Sequence, residues 1–150
     1  MTASGEQGVA VIGSRRVAGT LMVVYAIVVA FIVFAPSAEV PSWSVVVIWR
    51  GLQAIGAPDW ISPNVVEFGT NVLLFVPMSF LGSTFRPRWG LGSWLLVGLL
   101  ATACIEVGQA LFLPGRSPQV DDMVANTLGA VIGYLLVLAA RRAGGRAGVR

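Results

Sequence analysis

The 150-residue chain has no histidine and no lysine, a single cysteine, and charge on only 11% of its positions. Without histidine there is no Ser-His or Cys-His couple, no histidine-rich metal site and no imidazole pH switch. One cysteine, Cys104, excludes a disulfide within the chain. Its apolar neighbours offer none of the positive charge that a reactive thiolate needs, so packing is its expected role. Scarce charge, 56% apolar residues and a mean hydropathy of +0.81 exclude an ordinary soluble domain. The net charge of +3 does not point to nucleic acid, because the basic residues flank apolar runs instead of forming a patch. All ten are arginine, and a lysine-free chain rich in Arg, Ala, Gly and Val fits a GC-rich bacterial genome.

What the chain has in abundance is long apolar runs. Four are expected to span a membrane, at about 17–35, 65–85, 91–113 and 122–140, each near the roughly 20 residues that about 30 Å of hydrocarbon requires. Ser14-Arg15-Arg16 also resembles the charged start of a secretory or twin-arginine signal. The first run outlasts the usual h-region of about 7–15 residues and no clear Ala-x-Ala site follows, so a retained helix is expected. The sequence therefore predicts an all-α integral membrane protein, a four-transmembrane-helix bundle. A cytoplasmic tail at 1–16 would precede the membrane domain at 17–140, and a basic cytoplasmic tail at 141–150 would follow it.

Arg15, Arg16, Arg86, Arg88, Arg141, Arg142, Arg146 and Arg150 fall on one side of this four-span arrangement, and only Arg50 and Arg116 on the other. The positive-inside rule then puts both termini in the cytoplasm of a bacterial cell membrane. Trp43, Trp49 and Trp60 on the outside, with Trp89 and Trp94 on the inside, suit two interfacial belts. In the long loop after the first span, Val45, Ile48, Trp49, Leu52 and Ile55 repeat near helical spacing, with Ser42 as an expected N-cap. This predicts an amphipathic helix on the outer face, serving as an interfacial anchor or as a lid carrying Arg50 and Gln53.

The polar residues of the spans gather at one depth. Glu67 and Asn71 lie a turn apart in the second span, Glu106 and Gln109 share a face of the third, and Asp122 and Asn126 repeat the spacing in the fourth. Arg116 sits on the short loop above them, a natural partner for a carboxylate or for a phosphate. Intramembrane ionisable groups usually mark function, although carboxamides and carboxylates also tie helices together. Asp121-Asp122 could bind a divalent cation with Glu106, but helix-start capping suits them better, so no metal site and no cofactor are predicted. Gly129-Ala130-Val131-Ile132-Gly133, extended by Ala125, offers a small-residue strip for packing within the chain. Pro77 deprives the Leu73 carbonyl of its helical donor, either shaping the bundle or widening it near Asn71.

Taken in order, Asn71-Val72-Leu73-Leu74-Phe75-Val76-Pro77, then Ile105-Glu106-x-x-Gln109, then Gly115-Arg116, Asp121-Asp122 and Asn126-Thr127-Leu128-Gly129 with Gly133, resemble the VanZ-like membrane proteins. The resemblance covers about 65–134. The chain departs from that pattern at Ser79, where a glycine is common, and at Gln119, where a further aspartate often follows the arginine. The resemblance implies a small multi-span bacterial protein of a family named for a determinant of teicoplanin resistance.

Two function classes follow. In the first, Asn71, Gln109, Arg116, Asp122 and Asn126 bind a membrane lipid or lipid-linked envelope molecule, such as a lipid-linked precursor or a lipoglycopeptide. In the second, Glu106 is the general acid or base of an intramembrane hydrolase or transferase, with Arg116 or Asp122 orienting the substrate. The absence of a nucleophile beside an activating base favours binding. A structural partner of other envelope proteins is the remaining alternative.

Overall fold

The computed structural model describes the backbone of residues 3–34, 39–112 and 120–147, and side chains within 15–34, 43–112 and 120–143. Five helices follow one another: α1 (Ala3–Val33), α2 (Glu39–Ala54), α3 (Pro63–Phe85), α4 (Leu91–Phe112) and α5 (Val120–Ala147). Four contain stretches long and apolar enough to cross a membrane, at Arg15–Val33, Pro63–Phe85, Leu91–Phe112 and Val120–Ala143. Their bounds fall close to those expected from hydropathy, because a run of about 20 apolar residues is a local property of the chain.

Local signals account for several ends. Ser62 caps α3 in extended conformation and accepts from the Val65 N–H at 3.4 Å, with Pro63 in the first turn where its missing N–H costs nothing. Gly56, at φ +84°, ends α2, and the bonds Gly56 N to Gln53 O and Ala57 N to Leu52 O, both 3.0 Å, close a Schellman turn. Asp121 and Asp122 occupy the first turn of α5, where the helix dipole favours negative charge. α2 starts at Glu39, three residues before the expected cap Ser42. Pro41 fits that first turn because an N–H there has no helical partner in any case.

α3 and α5 form the most extensive contact of the bundle, with α4 against α5 and α1 against α3. The small-residue strip makes this possible: a Cβ on Gly129 would run into the Val72 carbonyl and Phe75, and one on Gly133 into Ser79 and the Val76 carbonyl. Ala125 and Ala130 are fully buried beside them. GxxxG therefore works inside this chain, as the sequence suggests, and the Ser79 hydroxyl packs on Gly133. Gly98 lets α4 approach α5 likewise, since its Cβ would lie 3.2 Å from that of Ala130.

The interior is small and polar, and the exterior is large and apolar. Thr102, Ser79 and Ser83 are the bulkiest fully buried side chains, whereas Leu21, Phe31, Leu73, Leu100, Phe112 and Leu135 are exposed. In water such a surface would drive association; in hydrocarbon it meets its own kind, and close backbone approach does the holding.

Two sequence expectations need correction. Trp94 is 2% exposed, seated over Gly82 and stacked at 5.5 Å from Trp89, so only Trp89 of that pair stands at the surface. Gly82 creates the slot for the indole, a tertiary feature that an aromatic belt pattern does not contain. Cys104 is exposed on the outside of α4, off the buried line Trp94, Gly98, Thr102 and Glu106, so it does not pack inside the bundle. On α2, Val45, Trp49 and Leu52 are half-buried but Ile48 and Ile55 are exposed. The helix turns one edge toward α3 because Trp49 Nε1 and Gln53 Nε2 both donate to the Ile61 carbonyl, at 2.9 and 3.2 Å.

Candidate functional site

Trp94, Gly98, Thr102 and Glu106 recur every fourth residue and form one buried line along α4. Gly98 lies against the Asn126–Ala130 stretch of the antiparallel α5. Eight residues further along α4, Glu106 is therefore level with the first turn of α5, where Asp122 stands. Glu106 is 8% exposed and Asn126 is 6% exposed. A buried carboxylate among apolar helices is costly unless other polar groups meet it, so its position is an organised feature of the fold.

Asp122 joins α5 to α3 by accepting from Asn71 Nδ2 at 2.5 Å. Gln109, one turn beyond Glu106, donates through Nε2 to the Val33 carbonyl at 2.8 Å. That carbonyl belongs to the last turn of α1, which lacks helical donors, and beside it Gly108 makes room for the Phe34 ring. Asn71, Asp122, Asn126, Glu106 and Gln109 thus lie at one end of the bundle, on three helices, with α1 tied to them. Glu67 is exposed and stands apart from this group. Arg116 lies in 113–119, outside the described residues. Among the described residues, no group of three His, Cys, Asp or Glu side chains could hold a metal ion.

Sequence reasoning missed a deeper part of the site. One turn below Glu106, the hydroxyl of Thr102 is fully buried, and the Thr127 hydroxyl beside Asn126 is also shielded; neither has a hydrogen-bond partner among the described residues. Buried threonines in helices commonly bond back to the preceding turn, so these two leave a polar seam running inward from the carboxylates. The signal was present in the strict four-residue spacing of Gly98, Thr102 and Glu106, but threonine in an apolar run does not stand out by composition. Tyr25 is another omission. Its hydroxyl donates to the Leu74 carbonyl at 3.0 Å, three residues before Pro77, where the proline disturbs the helical ladder.

The opposite end carries Arg15, Arg16, Arg86, Arg88, Arg141 and Arg142 among the described residues. Arg141 Nη2 donates to the Ser83 carbonyl at 2.6 Å, capping the last turn of α3, while the Arg86 N–H takes the Gly82 carbonyl at 2.7 Å. An apolar exterior and four membrane-length helices mark a multi-pass membrane protein, with polar side chains gathered inside one end of its bundle. The chain belongs to the VanZ/LLP1 family, whose model matches residues 22–141. That match takes in the C-terminal part of α1 from residue 22, all of α2, α3 and α4, and α5 as far as Arg141. No curated protein and no solved structure matches the chain.

Proposed function

We propose that the end of the bundle bearing Asp122 faces the outside of a bacterial cell membrane and receives the polar head of an envelope amphiphile, a lipid-linked precursor or a lipoglycopeptide. The observation that carries this reading is the burial of Glu106 and Asn126 in the same layer as the Asn71–Asp122 bond, within a bundle whose exterior is apolar. Polar groups that only tied helices together would not need an acidic layer confined to one end, and intramembrane carboxylates are functional by default. The outward orientation draws on Arg15, Arg16, Arg86, Arg88, Arg141 and Arg142 at the other end, which the positive-inside rule holds in the cytoplasm.

In this reading Arg116 meets an anionic head group with its two-pronged guanidinium. Asn126 and the Asn71–Asp122 pair supply hydrogen bonds, and Gln109 positions α1 beside them through Val33. The Thr102 and Thr127 hydroxyls extend the polar lining inward. α2 anchors the α1–α3 connection at the membrane surface, since Gln53 is engaged with Ile61. Handling of a lipoglycopeptide would connect this chain to teicoplanin-type resistance.

Burial of Glu106 also suits a general acid or base, so a hydrolase or transferase acting on the same amphiphile is the second reading. One experiment tests both. Lipids retained by the purified protein are identified by mass spectrometry for wild type and Glu106→Gln, and both proteins are incubated with envelope lipid extract. A glycolipid or lipid-linked precursor held by wild type and lost from a variant that melts normally supports the binding site. A product that requires Glu106 supports the enzyme. Retention of bulk phospholipid alone, or joint loss of fold and phenotype in Glu106→Gln, overturns both in favour of a structural tie.

A further inference from the structure

A cleft of about 350 Å³ opens at the arginine end, lined by Arg15 of α1, Phe85 at the end of α3, and Arg86, Pro87, Arg88 and Trp89 of the turn into α4. Its size is at the lower end of small-ligand sites. Its walls are fixed by packing. The Phe85 ring rests against Gly19 of α1, where a Cβ would come within 2.9 Å of the ring, and Arg15 is one turn from Gly19 on the same face. The Arg86 guanidinium lies over the Phe85 ring, 4.7 Å from its centroid. Pro87 and the bond from Trp89 N to Arg86 O, 3.0 Å, hold the turn, while Trp89 leans on the buried Trp94.

Three arginines line this cleft, and no carboxylate is among its described lining residues. Among the described residues the acidic side chains are Asp59, Glu67, Glu106, Asp121 and Asp122, and none of them bonds to Arg15, Arg86 or Arg88. Glu6 stands nine positions along α1 from Arg15, about 13 Å of helix rise away. Arg141, at the same end, is already committed to the Ser83 carbonyl. The C-terminus of α3 opposes an anion at this place and the N-terminus of α4 favours one, so the arginines decide the sign of the site.

We propose that this cleft binds the phosphate of an anionic phospholipid head group. Depth selects the source of the phosphate. The turn 86–90 joins two membrane-length helices and therefore sits at the head-group level, with Trp89 at the interface. Guanidinium forks match phosphate oxygens in pairs, and basic pockets between membrane helices are suited to anionic head groups. This site is separate from the polar layer of Glu106 and does not depend on its function.

The full-length protein in detergent micelles is titrated with dioleoylphosphatidylglycerol or dioleoylphosphatidylcholine, and retained lipid is counted by native mass spectrometry. Wild type should prefer phosphatidylglycerol. The double variant Arg86→Gln, Arg88→Gln should bind it about thirty-fold more weakly, roughly a factor of five for each arginine beside an anionic head group. Arg50→Gln with Arg142→Gln removes the same charge outside the cleft and should leave binding unchanged. Equal loss in both doubles, or loss in neither, overturns the proposal. Displacement of phosphatidylglycerol by millimolar inorganic phosphate also overturns it, in favour of a free-phosphate site. If the Arg86, Arg88 double does not fold, Arg15→Gln decides: its side chain makes no hydrogen bond among the described residues, and it should weaken phosphatidylglycerol binding about fivefold, whereas unchanged binding refutes the site.

Discussion

Replacing Gly129 by alanine adds one methyl group, yet it strikes a close backbone approach between α3 and α5. The new Cβ would run into the Val72 carbonyl oxygen and lie 2.8 Å from Phe75 Cβ and 3.1 Å from the Val72 carbonyl carbon. Backbone atoms cannot rotate aside, so α3 and α5 must separate or tilt. Overpacking of this kind costs about 1–3 kcal/mol, and the better helix propensity of alanine returns about 1 kcal/mol at most. The net is a destabilisation of up to about 2 kcal/mol, or a fall of up to roughly 8 °C in Tm at about 2–4 °C per kcal/mol for a chain of this length. Gly69→Ala is the matched control: no atom lies within 4 Å of its Cβ, so only the propensity gain remains and Tm should rise. Both are read by tryptophan fluorescence melts in detergent, with the buried Trp94 as reporter. A Gly129→Ala protein that melts at or above Gly69→Ala would refute the close α3–α5 approach.

A double-mutant cycle on Asn71→Leu and Asp122→Leu should give a coupling of about 1–2 kcal/mol in detergent unfolding, since the two side chains bond directly; additive losses would deny the bond. Tyr25→Phe should lower Tm by about 2–4 °C by removing the α1–α3 hydrogen bond to the Leu74 carbonyl, and an unchanged melt would remove Tyr25 as the link between α1 and the Pro77 region. In a Cys104→Ser background, needed because Cys104 is exposed, a cysteine at Gly115 should label from outside intact cells and one at Gly90 should not; reversed labelling would move the polar layer to the cytoplasmic side. Arg116→Lys keeps the charge but loses the planar fork, so function should fall with expression retained, and full activity would rule out a bidentate contact.

Much of the candidate site was legible along the chain because helical spacing is local. Asn71, Glu106, Gln109, Asp122 and Asn126 share faces and depth by arithmetic alone. Their partners were not legible. Gln109 meets a main-chain carbonyl 76 positions away, and Asn71 meets Asp122 51 positions away. Which of several carboxamides pairs with which acceptor depends on how each helix is rotated, and rotation is set by contacts that no single segment contains. The same reason explains Trp94 and Cys104. An indole beside a membrane end reads as a belt residue until Gly82 opens a slot for it, and a cysteine within an apolar run reads as buried although α4 turns it outward.

The sequence by itself determined the number of membrane-length helices, their approximate limits, and the separation of arginines from carboxylates between the two ends. Hydropathy over about 20 residues and charge at the flanks need no knowledge of neighbours. Only the tertiary structure decided that Gly129 and Gly133 lock α5 onto Val72–Phe80 of α3, that this register brings Asp122 to Asn71, and that Arg141 is bound to α3 while Arg15, Arg86 and Arg88 line a cleft. Those outcomes rest on close packing between segments distant in the chain, where the absence of one methyl group fixes how two helices meet and therefore which polar side chains face each other.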